Sequence, residues 1–176
     1  MKTFIAYYSF SHNNELLAKE IHSRLGDKSD LFEIRTLRKR TGLSIFLDIL
    51  FHRVPELSRF EYPVHQYDYY IFIAPVWAGR VASPLKSFLV SQKDFIKNYS
   101  FITVCGGAKG QKEKLESELI SLLDCKPRKV IELWVSKLLK GNDKRQVTNY
   151  RMTANELDFF EKEVDAFVNG EMSYHL

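Results

Sequence analysis

Five short runs of apolar, β-branched or aromatic residues recur along this chain: Phe4 to Tyr8, Leu31 to Ile34, Tyr69 to Ala74, Phe101 to Cys105 and Val130 to Val135. Runs of this length, bounded by turn-forming residues, predict strands buried on both faces. Between them the apolar spacing changes to three and four. Glu15 to Leu25 places Leu16, Leu17, Ile21 and Leu25 on one side of a helix, and Pro84 to Lys97 does the same with Leu85, Phe88, Leu89 and Ile96. Ser83 is expected as the N-cap of that second helix, with Pro84 in its first turn. Lys112 to Leu123 supplies Leu115, Leu119, Leu122 and Leu123. Thr153-Ala154-Asn155-Glu156 has the spacing of a capping box, predicting a last helix through Val168 that stops near Gly170. Alternating strand and helix signals predict one α/β domain over residues 1–176. Its expected form is a doubly wound five-stranded parallel sheet with helices on both faces.

One stretch breaks this regularity. Between the second and third predicted strands, at about 38–60, Arg38-Lys39-Arg40-Thr41-Gly42 leads into Leu43 to Arg53, which is apolar almost all round a helix. The simplest account is a crossover helix packed on the sheet, with an exposed side covered by another subunit as in a homodimer. Two alternatives are a lid shaping a substrate pocket and a basic-flanked helix resting on an anionic membrane surface.

Charge sharpens the picture. Lys and Arg number 26 against 22 acidic residues, a formal net charge of +4, and the excess is concentrated. Residues 35–53 carry five basic side chains against one acidic, and residues 126–145 carry seven against two. Such patches favour anionic partners. Nucleic acid is not expected, because no reader motif or basic groove interleaved with aromatics accompanies the charge. Cys105 and Cys125 are too far apart for a metal-ligand spacing, so no metal and no disulfide framework is expected. With Met1-Lys2-Thr3 running directly into a strand, and no apolar run long enough to cross a bilayer, a cytoplasmic location is expected.

Three loops carry candidate chemistry. Tyr8-Ser9-Phe10-Ser11-His12-Asn13-Asn14 runs from a strand into a helix N-terminus, where free backbone N–H groups and the helix dipole favour a phosphate. Its plainer reading is a Ser/Asn-rich helix cap; His12 is then either a surface histidine or an added positive charge. Ala74-Pro75-Val76-Trp77-Ala78-Gly79 presents an aromatic whose plainer reading is a rim residue, but Pro75 and Gly79 on either side argue for a shaped loop and favour stacking on a flat ring. Cys105-Gly106-Gly107-Ala108-Lys109-Gly110 follows the fourth strand, and its glycines let backbone N–H groups approach a ligand or simply make a turn. Packing is the default role for Cys105, since nothing in the sequence lowers its pKa.

In this order and register the three loops resemble those of flavodoxin-like FMN-binding proteins. The match is best over Tyr67 to Gly79 and Ser83 to Leu89. Ser9 and Ser11 keep two hydroxyls of the family's first loop, while His12 stands where Gly is usual and Asn14 where Thr is usual. The resemblance implies strand order 2-1-3-4-5, with FMN at the carboxyl end of the sheet where the topology switches. It further implies cofactor contacts from Ser9, Phe10, Ser11, His12, Asn13 and Asn14 in the first loop. The second loop would contribute Pro75, Val76, Trp77, Ala78 and Gly79, and the third Cys105, Gly106, Gly107 and Lys109. The flavin would carry the chemistry, with no catalytic side chain required. Two functions fit. One is an FMN-dependent oxidoreductase passing electrons from a nicotinamide or other donor to a small acceptor such as a quinone. The other is a single-domain electron carrier for a protein redox partner. Such carriers are typically acidic, and the basic balance here favours the enzyme.

Overall fold

The structure, a computed structural model, describes residues 2–51, 53–59, 63–139, 147 and 150–172. Five parallel strands form one sheet: β1 (Thr3–Tyr7), β2 (Ser29–Glu33), β3 (Tyr69–Ile73), β6 (Tyr99–Cys105) and β7 (Val130–Trp134). Their order is β2-β1-β3-β6-β7, the expected 2-1-3-4-5 arrangement. Two further strands, β4 (Val76–Trp77) and β5 (Arg80–Val81), pair antiparallel in a hairpin that sequence reading treats as an open loop. Strands of two residues are too short to show any periodicity.

Alternate residues of the central strands feed two cores. Phe4 and Ala6 of β1, with Tyr70 and Phe72 of β3, face α3 (Ser83–Gln92) and α4 (Gln111–Leu123) through Leu85, Phe88, Leu115 and Leu119. Ile5 and Tyr7, with Tyr69, Ile71 and Ile73, face α1 (Asn13–Leu25) and the C-terminal helices through Leu17, Ile21, Phe160, Val164 and Phe167. The first core is built on rings: Phe4 and Phe88 stack with centroids 6.1 Å apart, and Phe72 meets Phe88 edge-on at 6.3 Å. Such contacts contribute about 0.5–1.5 kcal/mol each beyond area burial. Two buried tyrosines of this core find partners for their hydroxyls; Tyr70 donates to Val64 O at 2.8 Å and Tyr99 to Cys125 O at 2.9 Å.

Helix boundaries differ from expectation at informative places. α3 begins one residue before Pro84, with Ala82 at its cap, and Ser83 instead donates its hydroxyl to Asp48 Oδ2 at 2.7 Å. α3 also stops at Gln92, but a tight turn keeps Ile96 fully buried, which explains the longer apolar period. The capping box of Thr153 and Glu156 is present and opens α5 (Ala154–Leu157); a single 3₁₀ turn then leads to α6 (Glu161–Met172), which continues through Gly170 rather than ending there.

α2 (Gly42–Phe51) occupies the segment between β2 and β3. It is not a crossover helix packed over the sheet: only Ile45 and Asp48 are buried, and it leans on α3 through the Asp48–Ser83 contact. Among the described residues no helix is long and apolar enough to cross a membrane. Of the second basic cluster, Lys140, Asp143, Lys144 and Arg145 lie outside the described residues.

Candidate functional site

The three candidate loops leave the carboxyl ends of β1, β3 and β6, which are neighbours in the sheet. From β1 the chain moves to β2 on one side and then to β3 on the other, so the connections diverge above this edge and open a crevice.

In the first loop, Tyr8 N still donates to Ile73 O at 2.9 Å. Beyond it the N–H groups of Ser9, Phe10, Ser11 and His12 make no hydrogen bond to another described residue. Ser9 Oγ is shielded from water and has no partner either. A buried hydroxyl left unanswered costs about 1–3 kcal/mol, and folded proteins seldom keep one without a reason. Phe10 and His12 are exposed and Ser11 is half-buried.

His12 caps α1 in the left-handed region, at φ 70°, where the resembled family has Gly. That conformation costs a non-glycine residue about 1 kcal/mol. His12 Nδ1 lies 2.9 Å from Glu15 Oε2, and Lys19 Nζ lies 2.6 Å from Glu15 Oε1. Hydrogen bonds from Lys19 and then His12 hold the Glu15 carboxyl below the usual range.

Asn13 and Asn14 do other work with their side chains. Asn14 Nδ2 donates to Val104 O at 3.1 Å, and Val104 N donates to Asn14 Oδ1 at 2.9 Å. β3 pairs with β6 only as far as Ile73 opposite Ile102, so the Asn14 carboxamide takes the place of the next β3 peptide. Asn13 clasps the chain before α5 in the same way, through Tyr150 O at 2.9 Å and Met152 N at 2.8 Å. Both amides are therefore committed, which leaves the two residues only backbone groups to offer a ligand.

The second loop is a tight hairpin. Val76 pairs with Val81 and Trp77 with Arg80, and the two-residue turn has Ala78 at φ 51° and Gly79 at φ 76°. Two successive positive φ values are what a type I′ turn requires, and they match the twist of the flanking strands. Pro75 O closes the base by accepting from Ala82 N at 3.2 Å. Trp77 is half-buried and meets Tyr8 and Phe10 perpendicularly, with centroids 5.9 and 6.4 Å away. The hairpin thus brings the aromatic of the second loop against the first.

The third loop is partly occupied by the protein itself. A Cβ on Gly107 would collide with the Trp134 indole, and one on Gly106 would stand 2.7 Å from Val147 Cγ1. The identity of these glycines is thus explained by packing, and only their peptide groups remain free for a ligand. Cys105 is buried, with Gln111 Nε2 3.4 Å from its sulfur, and burial followed by the nearby Glu132 charge pushes the thiol up to about 12. It is a packing residue without thiolate character. Lys109 is exposed and makes no ion pair with another described residue.

Two neighbours of this edge escape sequence reading. Trp134 ends β7 as Trp77 ends β4, and an aromatic at the carboxyl end of a predicted strand is the signal that could have found it. Burial pushes the Tyr8 hydroxyl up to about 12, and the Arg40 guanidinium pulls against that shift, which places a cation from the β2–α2 connection near the first loop.

The cradle fits a phosphate ester: an unanswered hydroxyl, four consecutive N–H groups without an acceptor among the described residues and the start of a 13-residue helix adjoin one another there. No family model and no curated protein matches the chain. Solved structures do. A flavoprotein from Lactobacillus acidophilus NCFM, crystallised in complex with FMN, aligns over 74% of this chain and 92% of its own, with 22% identity and a TM-score of 0.64. The apo form of the flavoprotein from the same organism, solved by NMR, aligns over 77% and 94%, with 23% identity and a TM-score of 0.62. A candidate flavoprotein from Bacteroides eggerthii aligns over 75% and 87%, with 16% identity and a TM-score of 0.66. The chain has the flavodoxin-like fold. Flavodoxin-like sheets receive ligands at the carboxyl edge beside their switch point. In this flavodoxin-like chain that edge is where Ser9, Trp77 and Gly107 lie.

Proposed function

We propose that this flavodoxin-like chain binds FMN and acts as an oxidoreductase, passing electrons from a nicotinamide or another donor to a small acceptor such as a quinone. The unpartnered Ser9 hydroxyl, buried at the head of α1, carries this reading. Ser9, Ser11 and the N–H groups of the first loop would hold the single terminal phosphate. Trp77 would lie beside the ring, and the peptide groups of Ala78, Gly79, Gly106 and Gly107 would meet its polar edge. FMN is favoured over FAD because the loops offer one phosphate cradle and no adenosine site. When bound, FMN supplies one- or two-electron transfer; the chain's part is to bind it, orient it and set the surrounding charge. The formal net charge of +4 supports a small-molecule reductase over the acidic carrier type.

Titration of the apo protein with FMN and FAD, followed by flavin fluorescence, tests the reading. FMN should bind at micromolar concentration or tighter and FAD more weakly. Ser9→Ala and Ser11→Ala should each weaken FMN by about 1–3 kcal/mol, the worth of one charge-assisted hydrogen bond. Absence of FMN binding at high micromolar concentration would overturn the proposal.

A further inference from the structure

α2 leaves four large apolar side chains in water. Its inner side carries Ile45 and Asp48, the latter paired with Arg40, while Leu43 is 70% exposed, Phe46 58%, Leu50 55% and Phe51 58%. Leu43, Phe46 and Leu50 fall at i, i+3 and i+7, so they form one stripe along the helix. A contiguous exposed apolar stripe on a folded protein marks a surface meant to be covered.

Beside the helix a cavity of about 430 Å³ opens between residues 36–40 and 53–56. Arg38, Lys39, Arg40 and Arg53 line it, against Asp48 and Glu56. Asp48 is already engaged by Arg40 and Ser83. Arg38, Lys39 and Arg53 make no ion pair with another described residue, and Arg40 keeps a buried Nε without a partner. The Arg53 guanidinium lies 5.1 Å from the Phe51 ring, which sets a cation at the end of the apolar stripe.

Charge decides which occupant fits. A second copy would bring the same unpaired cations to the contact, and a free phosphate compound would fill the cavity but leave the stripe in water. An anionic phospholipid surface answers both. We propose that α2 and the basic cavity dock this chain peripherally on an anionic membrane. The Leu43–Phe46–Leu50 stripe enters the boundary between headgroups and acyl chains, and a lipid phosphate sits among Arg38, Lys39 and Arg53. Trp77 shares a small pocket with Asp48 and Arg53, so the docked face adjoins the hairpin of the candidate site. The proposal does not require flavin.

Co-sedimentation of the full chain with phosphatidylcholine vesicles, with and without phosphatidylglycerol, is the test. The protein should pellet with the anionic vesicles and stay in the supernatant with the neutral ones. Phe46→Ser combined with Leu50→Ser should abolish pelleting while circular dichroism and the melting temperature remain those of a folded protein, since both side chains are exposed. Arg38→Gln and Lys39→Gln should each lower binding about fivefold, the effect of one cation near an anionic surface, and raised salt should do the same. These charge variants serve as the second arm should the apolar variant fail to fold. Failure to pellet with either vesicle, or equal pelleting with both, would overturn the proposal. So would a dimer in sedimentation velocity that the apolar variant dissolves without any vesicle binding, which would assign the stripe to a second copy. Thermal stabilisation by inorganic phosphate with no vesicle binding would overturn it in favour of a free anion.

Discussion

At the carboxyl edge of the sheet a neutral hydroxyl, Ser9 Oγ, is buried and no described residue answers it. At α2 the buried Asp48 carboxylate is paired with Arg40 and accepts from Ser83, while large apolar side chains stand in water. Each arrangement departs from the ordinary rule of apolar inside and polar outside, in opposite senses. The first places a small unmet polar demand in a rigid frame, which suits a compact polar ligand. The second engages its buried carboxylate internally and presents an unmet apolar demand outward, flanked by cations unpaired among the described residues, which suits an extended surface. The kind of demand left unmet indicates the kind of partner.

The strongest way to break this comparison is through the buried pair. Asp48→Ala should destabilise the protein by about 3–5 kcal/mol, because Arg40 would be left charged and uncompensated. Replacing Arg40 with Met and Asp48 with Leu together should recover most of that loss in urea denaturation. If Asp48→Ala is neutral, the pair is not holding α2 in place.

A smaller effect separates two polar residues of the first loop. Asn14→Ala should cost about 1–3 kcal/mol, since it leaves both backbone groups of Val104 unanswered in the core. Ser9→Ala should raise ligand-free stability, by up to about 1–3 kcal/mol, since it removes a buried hydroxyl that has no partner among the described residues. Equal losses for the two variants would mean that Ser9 is structural and not kept for a ligand.

The third loop gives a pH-dependent test. Burial raises the Cys105 thiol from its ordinary value of 9.0 to about 12, and the Tyr7 and Tyr8 hydroxyls from 10.0 to about 12. Below pH 9 these groups are neutral whether the chain is folded or not. Above it the unfolded chain loses protons that the folded chain retains, so stability should fall progressively from about pH 9 to pH 12. At pH 8 a thiol reagent should label the half-buried Cys125 well before Cys105. Fast labelling of Cys105 would show that this loop opens.

The smallest effect lies in the hairpin turn. Ala78→Gly should stabilise by about 0.5 kcal/mol, the relief of a positive φ less the entropy of an added glycine. A thermal melt can resolve that shift. A loss instead would show that the Ala78 methyl is packed.

The doubly wound sheet was legible because β1, β3 and β6 are buried on both faces and so read as unbroken apolar runs. That the three candidate loops meet at one edge was legible, since loops at the ends of adjacent parallel strands must converge. Its division of labour was not. Asn13, Asn14, Ser9 and Ser11 look alike as polar residues at a helix start, and only the register of β3 against β6 shows that Asn14 is needed as a peptide substitute. Ser83 reads as a cap because nothing local reveals Asp48, 35 residues earlier in the chain. α2 defeated the periodicity argument because a helix apolar on all sides has no pattern to say which side faces inward. Positive φ at His12 could be suspected from the glycine usual there in the resembled family, whereas nothing in the sequence signals it at Ala78.

The Asn14–Val104 clasp joins residues 90 apart in sequence, at the point where β3 stops pairing with β6. The first loop is therefore expected to reach its final shape only with that non-local contact, at the entropic cost of closing a long loop. The clasp also sets two clocks for exchange with deuterated water. The Val104 amide hydrogen, locked between strand and side chain, exchanges through global opening, while those of Ser9 to His12 have no acceptor and exchange through local motion alone. A phosphate bound in the cradle would slow the fast set selectively, reading occupancy of the loop one amide at a time.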